Sequence, residues 1–124
     1  MIAVDTSTLI AFVQGSRDDD VERFDASLAA NNIVLPPAVL TELLSEAKLP
    51  ASHRAMTLAL PVLELLPDYW LRTAAVRASL LGKGLRARLA DALIAQSCID
   101  HDVALITRDR DFRHFEKHCG LKLA

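Results

Sequence analysis

Cysteine is scarce in this chain, with only Cys98 and Cys119 among 124 residues. Two such scattered thiols make no disulfide framework; a reducing compartment suits them, and both read as inert. Long apolar runs are missing too. None reaches the roughly 18 to 20 residues of a membrane span, and Asp5 interrupts the N-terminus where a signal peptide needs its apolar segment. Together these absences predict a cytoplasmic protein with no membrane attachment. There is no repeat, low-complexity segment or linker, so residues 1–124 are expected to form a single domain. The Gly-Lys-Ser/Thr signature of P-loop nucleotide binding is also absent.

What is present is regular punctuation around a 52 % hydrophobic composition. A short apolar run, Met1 to Val4, ends in the carboxylate of Asp5, and Thr6, Ser7 and Thr8 lead into Leu9, Ile10, Phe12 and Val13. This predicts a buried strand, a turn and a helix folded back on the sheet. Gly15 to Asp20 breaks that helix, and Asp18, Asp19 and Asp20 suit the positive end of a second one carrying Val21, Phe24 and Leu28. Asn31 and Asn32 close it, a strand follows over 33–35, and Pro36-Pro37 opens a helix with Leu40, Leu43, Leu44 and Ala47 as its buried stripe. A helix over 51–60 and a third strand over 62–66 are expected next. Leu71, Ala74, Ala75, Ala78 and Leu81 read as the core stripe of a long helix stopped by Gly82 and Gly84. The remainder predicts a helix over 88–100, a strand over 102–106, a helix over 111–118 and an edge strand over 121–123. Alternating strands and helices imply an α/β fold, a parallel sheet covered on both faces by right-handed crossovers.

In such sheets ligands bind outside the carboxyl ends of the strands, where Asp5 is expected. Asp109 follows the fourth strand in the same way, in Thr107-Arg108-Asp109-Arg110-Asp111. Asp91 is more informative. Gln96, Ser97 and Asp100 share one face of its helix; at about 100° per residue Asp91 falls opposite, over Ile94, Ala95 and Cys98. A carboxylate on that side persists only if a metal, a partner charge or a water-filled cleft compensates it. The plainer alternatives are a first-turn aspartate answering the helix dipole for Asp91, and helix caps for Asp109 and Asp111. Carboxylates converging from distant segments, without thiolate or imidazole, make a hard oxygen site suited to Mg²⁺ or Mn²⁺. His114 and His118 share a helix face but lack a third soft ligand and read as a solvated helix end. Net charge is −2, with four basic against eight acidic residues over 1–62 and ten against eight over 63–124. The late arginines Arg86, Arg88, Arg108 and Arg110 thus interleave with the candidate carboxylates, as a phosphodiester substrate would need, or as a salt-bridged surface would have them.

Four ordered pieces carry a family resemblance: Val4-Asp5-Thr6-Ser7, Pro37-Ala-Val-Leu-Thr41-Glu42-Leu43, Leu89-Ala-Asp91-Ala92-Leu93-Ile94-Ala95, and Leu105-Ile-Thr107-Arg108-Asp109-Arg110-Asp111-Phe112. In these the chain resembles the PIN-domain ribonucleases, in particular the VapC-type toxins of bacterial toxin–antitoxin pairs. The resemblance implies a three-layer α/β/α sandwich with a parallel, roughly five-stranded sheet ordered 3-2-1-4-5. It implies Asp5, Glu42, Asp91 and Asp109 as an acidic quartet holding one or two Mg²⁺ or Mn²⁺, although Glu42 alone would read as part of a wet helix face. Thr6, Thr107 and Asp111 would support the quartet, and Ser7 departs from the asparagine often found at its position. The implied activity is an endoribonuclease that hydrolyses RNA through a metal-activated water, as a homodimer restrained by a cognate antitoxin. Two alternatives remain: a non-catalytic PIN-like binding scaffold, and an aspartate-nucleophile phosphatase, which would want a second aspartate where Ser7 stands.

Overall fold

Ile2–Val4 is extended because it lies between two parallel partners that satisfy its backbone on both edges. This strand, β1, pairs with β2 (Ile33–Val34) on one side and β3 (Leu105–Ile106) on the other, in the order β2-β1-β3. The computed structural model describes all 124 residues. Helices α1 (Thr6–Val13) and α2 (Asp19–Ala29) connect β1 to β2. Helices α3 (Pro37–Leu44), α4 (Ala51–Leu58), α5 (Tyr69–Gly82) and α6 (Leu89–Asp100) lead back to β3, and α7 (Phe112–Cys119) follows. The chain leaves β1 toward one edge and returns on the other side, so right-handed crossovers put the helices on both faces. Accordingly α2 packs across β2 and β3, while α5, α6 and α7 pack on one another.

The expected five-stranded order survives with its outer members reduced to single bridges. Leu35 bridges Val62 and Leu105 bridges Leu123, both parallel, outside the named strands. Pro61 and Pro67 bracket the first of these segments, and Val62 and Leu65 are exposed, so it has neither the ladder donors nor the two buried faces a parallel strand needs.

The core forms where strands and helix faces meet: Val4, Ile33, Leu105 and Ile106 from the sheet, Leu9, Phe24, Val39, Leu43 and Ile94 from the helices, and Phe112 and Phe115 from α7. Phe24 is wholly buried and meets Phe12 edge-on, centroids 5.0 Å apart. Helix α5 departs from expectation. Its stripe Leu71, Ala74, Ala75, Ala78 and Leu81 faces outward, with Leu71 71 % exposed. The inward face is instead Tyr69, Thr73 and Leu80, where the Tyr69 hydroxyl donates to the Leu93 carbonyl of α6. In α3 Leu43 of the expected stripe is buried, together with Val39; Leu40 and Leu44 are half-buried, and Ala47 lies beyond the helix, which ends at Leu44. Gly120, at φ +83°, closes α7 in the left-handed conformation that glycine adopts without strain.

Truncating Phe24 to alanine is expected to cost about 3–5 kcal/mol, read as a lower urea midpoint at unchanged slope. Val62→Thr at the frayed edge should change stability by less than about 0.5 kcal/mol.

Candidate metal centre

At the carboxyl ends of β1 and β3 the backbone turns outward and four acidic side chains gather. Asp5 follows β1 directly and starts α1, so its position is set by one strand and one helix. It is buried, 4 % exposed, with its Oδ2 accepting hydrogen bonds from Ser7 Oγ at 2.6 Å and Thr107 Oγ1 at 2.9 Å. Burial raises its pKa above the ordinary carboxylate value, and the two hydroxyls counter part of that rise. Thr107 also accepts the backbone N–H of Asp109 at 3.0 Å, so one hydroxyl links both strand ends.

Asp91 lies in the first turn of α6 on its inward side, 8 % exposed. Its Oδ2 is buried with no hydrogen-bond partner. The helical phase therefore places it correctly, although the opposite side is not a wet face: Gln96 and Ser97 are buried too, and Asp100 is ion-paired to Arg72 of α5. Carboxylate oxygens of Asp91, Asp109 and Asp111 lie within 4.8 Å of one another. Burial, and after it the charges of Asp109 and Asp5, push the Asp91 pKa up to about 7, with Arg88 acting in the opposite direction. Asp111 makes no capping bond at α7, whereas Asp109 accepts the Asp111 N–H on Oδ1 at 2.9 Å, a cap-like bond at the entry to that helix. Capping does not account for the partnerless Asp91 oxygen.

The candidate residues fall into distinct places. Asp91 and Asp109 meet as expected, and Asp111, expected only to support them, is a full member of their cluster. Asp5 stands beside the triad and acts on Asp91 through its charge. Glu42 projects from α3 at the exposed rim, where its Oε1 accepts Thr6 Oγ1 at 2.7 Å. Thr6 thus serves Glu42, Thr107 serves Asp5, and Ser7 makes the shortest contact to Asp5. The sequence carried a signal for Ser7: a hydroxyl two residues past a strand-end carboxylate can reach back to it.

The arginines divide as well. Arg88 and Arg110 are exposed and take part in no ion pair; Arg86 Nε lies 3.5 Å from Asp111 Oδ2. Arg108, for which the sequence left a substrate contact and a salt bridge both open, is ion-paired to Asp18 and Asp20 at the start of α2. The acidic run at 18–20 is therefore more than a helix cap, and Asp18 makes no side-chain capping bond. The cysteines conform: Cys98 is buried with its thiol pushed up to about 12 by burial.

The donor set fits a divalent hard cation. It is all-oxygen, convergent, and includes one buried oxygen with nothing to bond. What it can do chemically is bring such a cation to the mouth of a parallel sheet beside free guanidinium groups.

Over residues 2–118 the chain matches the family model of the PIN domain. Among solved structures it resembles VapBC2 from Rickettsia felis, determined bound to a DNA fragment from its promoter, with TM-score 0.75 and 21 % identity over 100 % of this chain and 98 % of that one. VapBC-5 from Mycobacterium tuberculosis, a member of a family of toxin–antitoxin systems, aligns at TM-score 0.67 and 22 % identity, covering 98 % and 95 %. DNA-bound VapBC from Salmonella typhimurium aligns at 0.66 and 23 %, covering 100 % and 98 %. No match was found among curated proteins.

Because the folded-state pKa of Asp91 is raised, the folded protein keeps a proton that the unfolded chain releases near pH 4. Without divalent cation, stability should therefore decline as pH rises from about 4 to about 7. Asp91→Asn removes this penalty. It is expected to stabilise the metal-free protein by about 1–2 kcal/mol at pH 8, solvent screening allowed for, with the gain shrinking toward pH 4 in thermal melts.

Proposed function

Since the chain belongs to the PIN-domain family, we propose that it is a divalent-metal-dependent endoribonuclease and the toxin of a VapC-type toxin–antitoxin pair. The observation that carries this reading is the buried Asp91 carboxylate, with its unpartnered oxygen, facing Asp109 and Asp111. Those three residues would hold the Mg²⁺ or Mn²⁺, one ion or two, with Asp5 adjoining and Glu42 at the rim. A bound cation supplies the positive charge that polarises the scissile phosphodiester and activates water for in-line attack.

The chain's own residues do the rest. Ser7 and Thr107 restrain the orientation of the Asp5 carboxylate through its Oδ2. Thr6 restrains the exposed Glu42 side chain through its hydroxyl. An RNA backbone is anionic and is repelled by an acidic cluster unless counter-charge accompanies it. Arg88 and Arg110, unpaired at the rim, would supply that charge, and Arg86 would do so by giving up its long contact to Asp111.

The family likeness to antitoxin-bound proteins supports a cognate antitoxin as partner. The uncovered apolar side chains Trp70, Leu71, Leu81 and Leu89 support a homodimer. No helix is long and apolar enough to cross a membrane.

Incubating purified protein with total RNA and Mn²⁺ should yield defined cleavage products. Asp5→Asn and Asp91→Asn should each lower the rate by about 100-fold or more while leaving circular dichroism unchanged. Full activity in either variant would overturn the assignment, and absence of Mn²⁺ binding to the wild type would point to a non-catalytic scaffold.

A further inference from the structure

A multiply bonded ion pair joins the loop that carries Asp109 and Asp111 to the start of α2. Arg108 Nε donates to Asp20 Oδ2 at 2.9 Å and Arg108 Nη2 to Asp20 Oδ1 at 2.8 Å, a two-bond fork. The same Nη2 reaches Asp18 Oδ2 at 3.3 Å and Ser16 Oγ at 3.4 Å. Asp20 Oδ2 also accepts from the wholly buried Thr8 of α1 at 2.8 Å. One carboxylate thus ties together α1, the first turn of α2 and the loop after β3. Its side chain is only 12 % exposed, unlike the neighbouring Arg17–Glu22 pair, which is open to solvent on both sides. Burial works against the Asp20 anion, but the bonds from Arg108 and Thr8 more than offset it and hold its pKa below the ordinary value.

Position in sequence gives the pair its consequence. Arg108 stands between Thr107, which donates to Asp5 and accepts the Asp109 N–H, and Asp109, which accepts the Asp111 N–H. These bonds all run within or from a five-residue loop tied to the start of α2 through Arg108 and, by a single longer contact, to Arg86 through Asp111. Bidentate arginine–carboxylate pairs restrain orientation as well as distance.

We propose that Asp20 and Arg108 are positioning residues: their clamp holds the 107–111 loop at the angle that presents Asp109 and Asp111 to Asp91, and so sets the affinity of the site for divalent cation. Neither residue touches the cation. This rests on the metal-centre reading above for its second half only, since the ordering of the loop does not require a metal.

The test uses Asp20→Asn, which loses the charge and half of the fork at nearly constant size, Arg108→Lys, which keeps the charge but not the fork, and Arg17→Ala as a control on the same helix end. Two quantities are read in each full-length protein: hydrogen exchange at the Asp109 and Asp111 amides without metal, and Mn²⁺ affinity by calorimetry. Asp20→Asn and Arg108→Lys should speed exchange at those two amides and weaken Mn²⁺ binding by about 10-fold or more, with far-UV circular dichroism unchanged and Arg17→Ala like wild type. Exchange and affinity both at wild-type levels in the two variants would overturn the proposal. So would Asp20→Asn binding RNA more tightly at unaltered Mn²⁺ affinity, because Arg108 would then be a substrate contact that Asp20 withholds. If wild-type protein bound no Mn²⁺, the metal centre would fail, and amide exchange alone would decide whether the clamp orders the loop. If Asp20→Asn does not fold, Arg108→Lys carries both readouts.

Discussion

Like charge gathered at one end of a parallel sheet is the constraint on which the rest of this structure turns. Oxygens of Asp91, Asp109 and Asp111 no more than 4.8 Å apart repel, when ionised, by roughly 3 kcal/mol per pair at an effective dielectric constant near 20. A hydrogen bond to a charged group contributes roughly 1.5–3 kcal/mol, and the Asp91 Oδ2 atom has none. Hydrogen bonding within the protein therefore cannot balance the cluster. Arg86 beside Asp111 and the charge of Arg88 near Asp91 offset part of the repulsion, and at neutral pH a proton on Asp91 or a divalent cation would relieve the rest.

The fold explains why the cluster is placed there. Strand β1 is central, and the chain departs from it toward β2 and returns at β3, so the loops after β1 and β3 open side by side. Helices α3 and α6 then bring Glu42 and Asp91 to the same opening from elements far apart in sequence. Three of the carboxylates are anchored through different devices: Asp5 by two hydroxyls, Asp109 by the amide of Asp111, Glu42 by Thr6. These supports determine direction more than stability. The Arg108 fork is the matching device one layer out, where it acts on the loop rather than on a ligand oxygen.

Much of this could be read before any coordinates, and the failures have physical reasons. Asp91 was legible because helical phase is a strict rule, and a carboxylate opposite a polar face stands out whether that face is wet or, as here, hydrogen-bonded against α5. Strand-end aspartates were legible because apolar runs end abruptly at Asp5 and shortly before Asp109. The outward stripe of α5 was misread since periodicity reports that a helix has an apolar side without saying which neighbour covers it; Tyr69 faces inward with its hydroxyl bonded to α6, and buried Thr73 satisfies its hydroxyl on the Tyr69 carbonyl one turn back. For Arg108 the sequence left a substrate contact and a salt bridge both open, and local pattern could not name the salt-bridge partners, 88 and 90 residues away. The edge segments reduced to bridges at Val62 and Leu123 reflect lost ladder pairing rather than a different topology.

The central claim is that Asp91, Asp109 and Asp111 form a cation site rather than a merely strained acidic corner. Anomalous diffraction from crystals equilibrated with MnCl₂ tests it most directly. The account predicts one strong peak in contact with carboxylate oxygens of Asp91 and at least one of Asp109 and Asp111, lost in Asp91→Asn crystals. A peak confined to the exposed acids at the start of α2, or none at this opening, would contradict it.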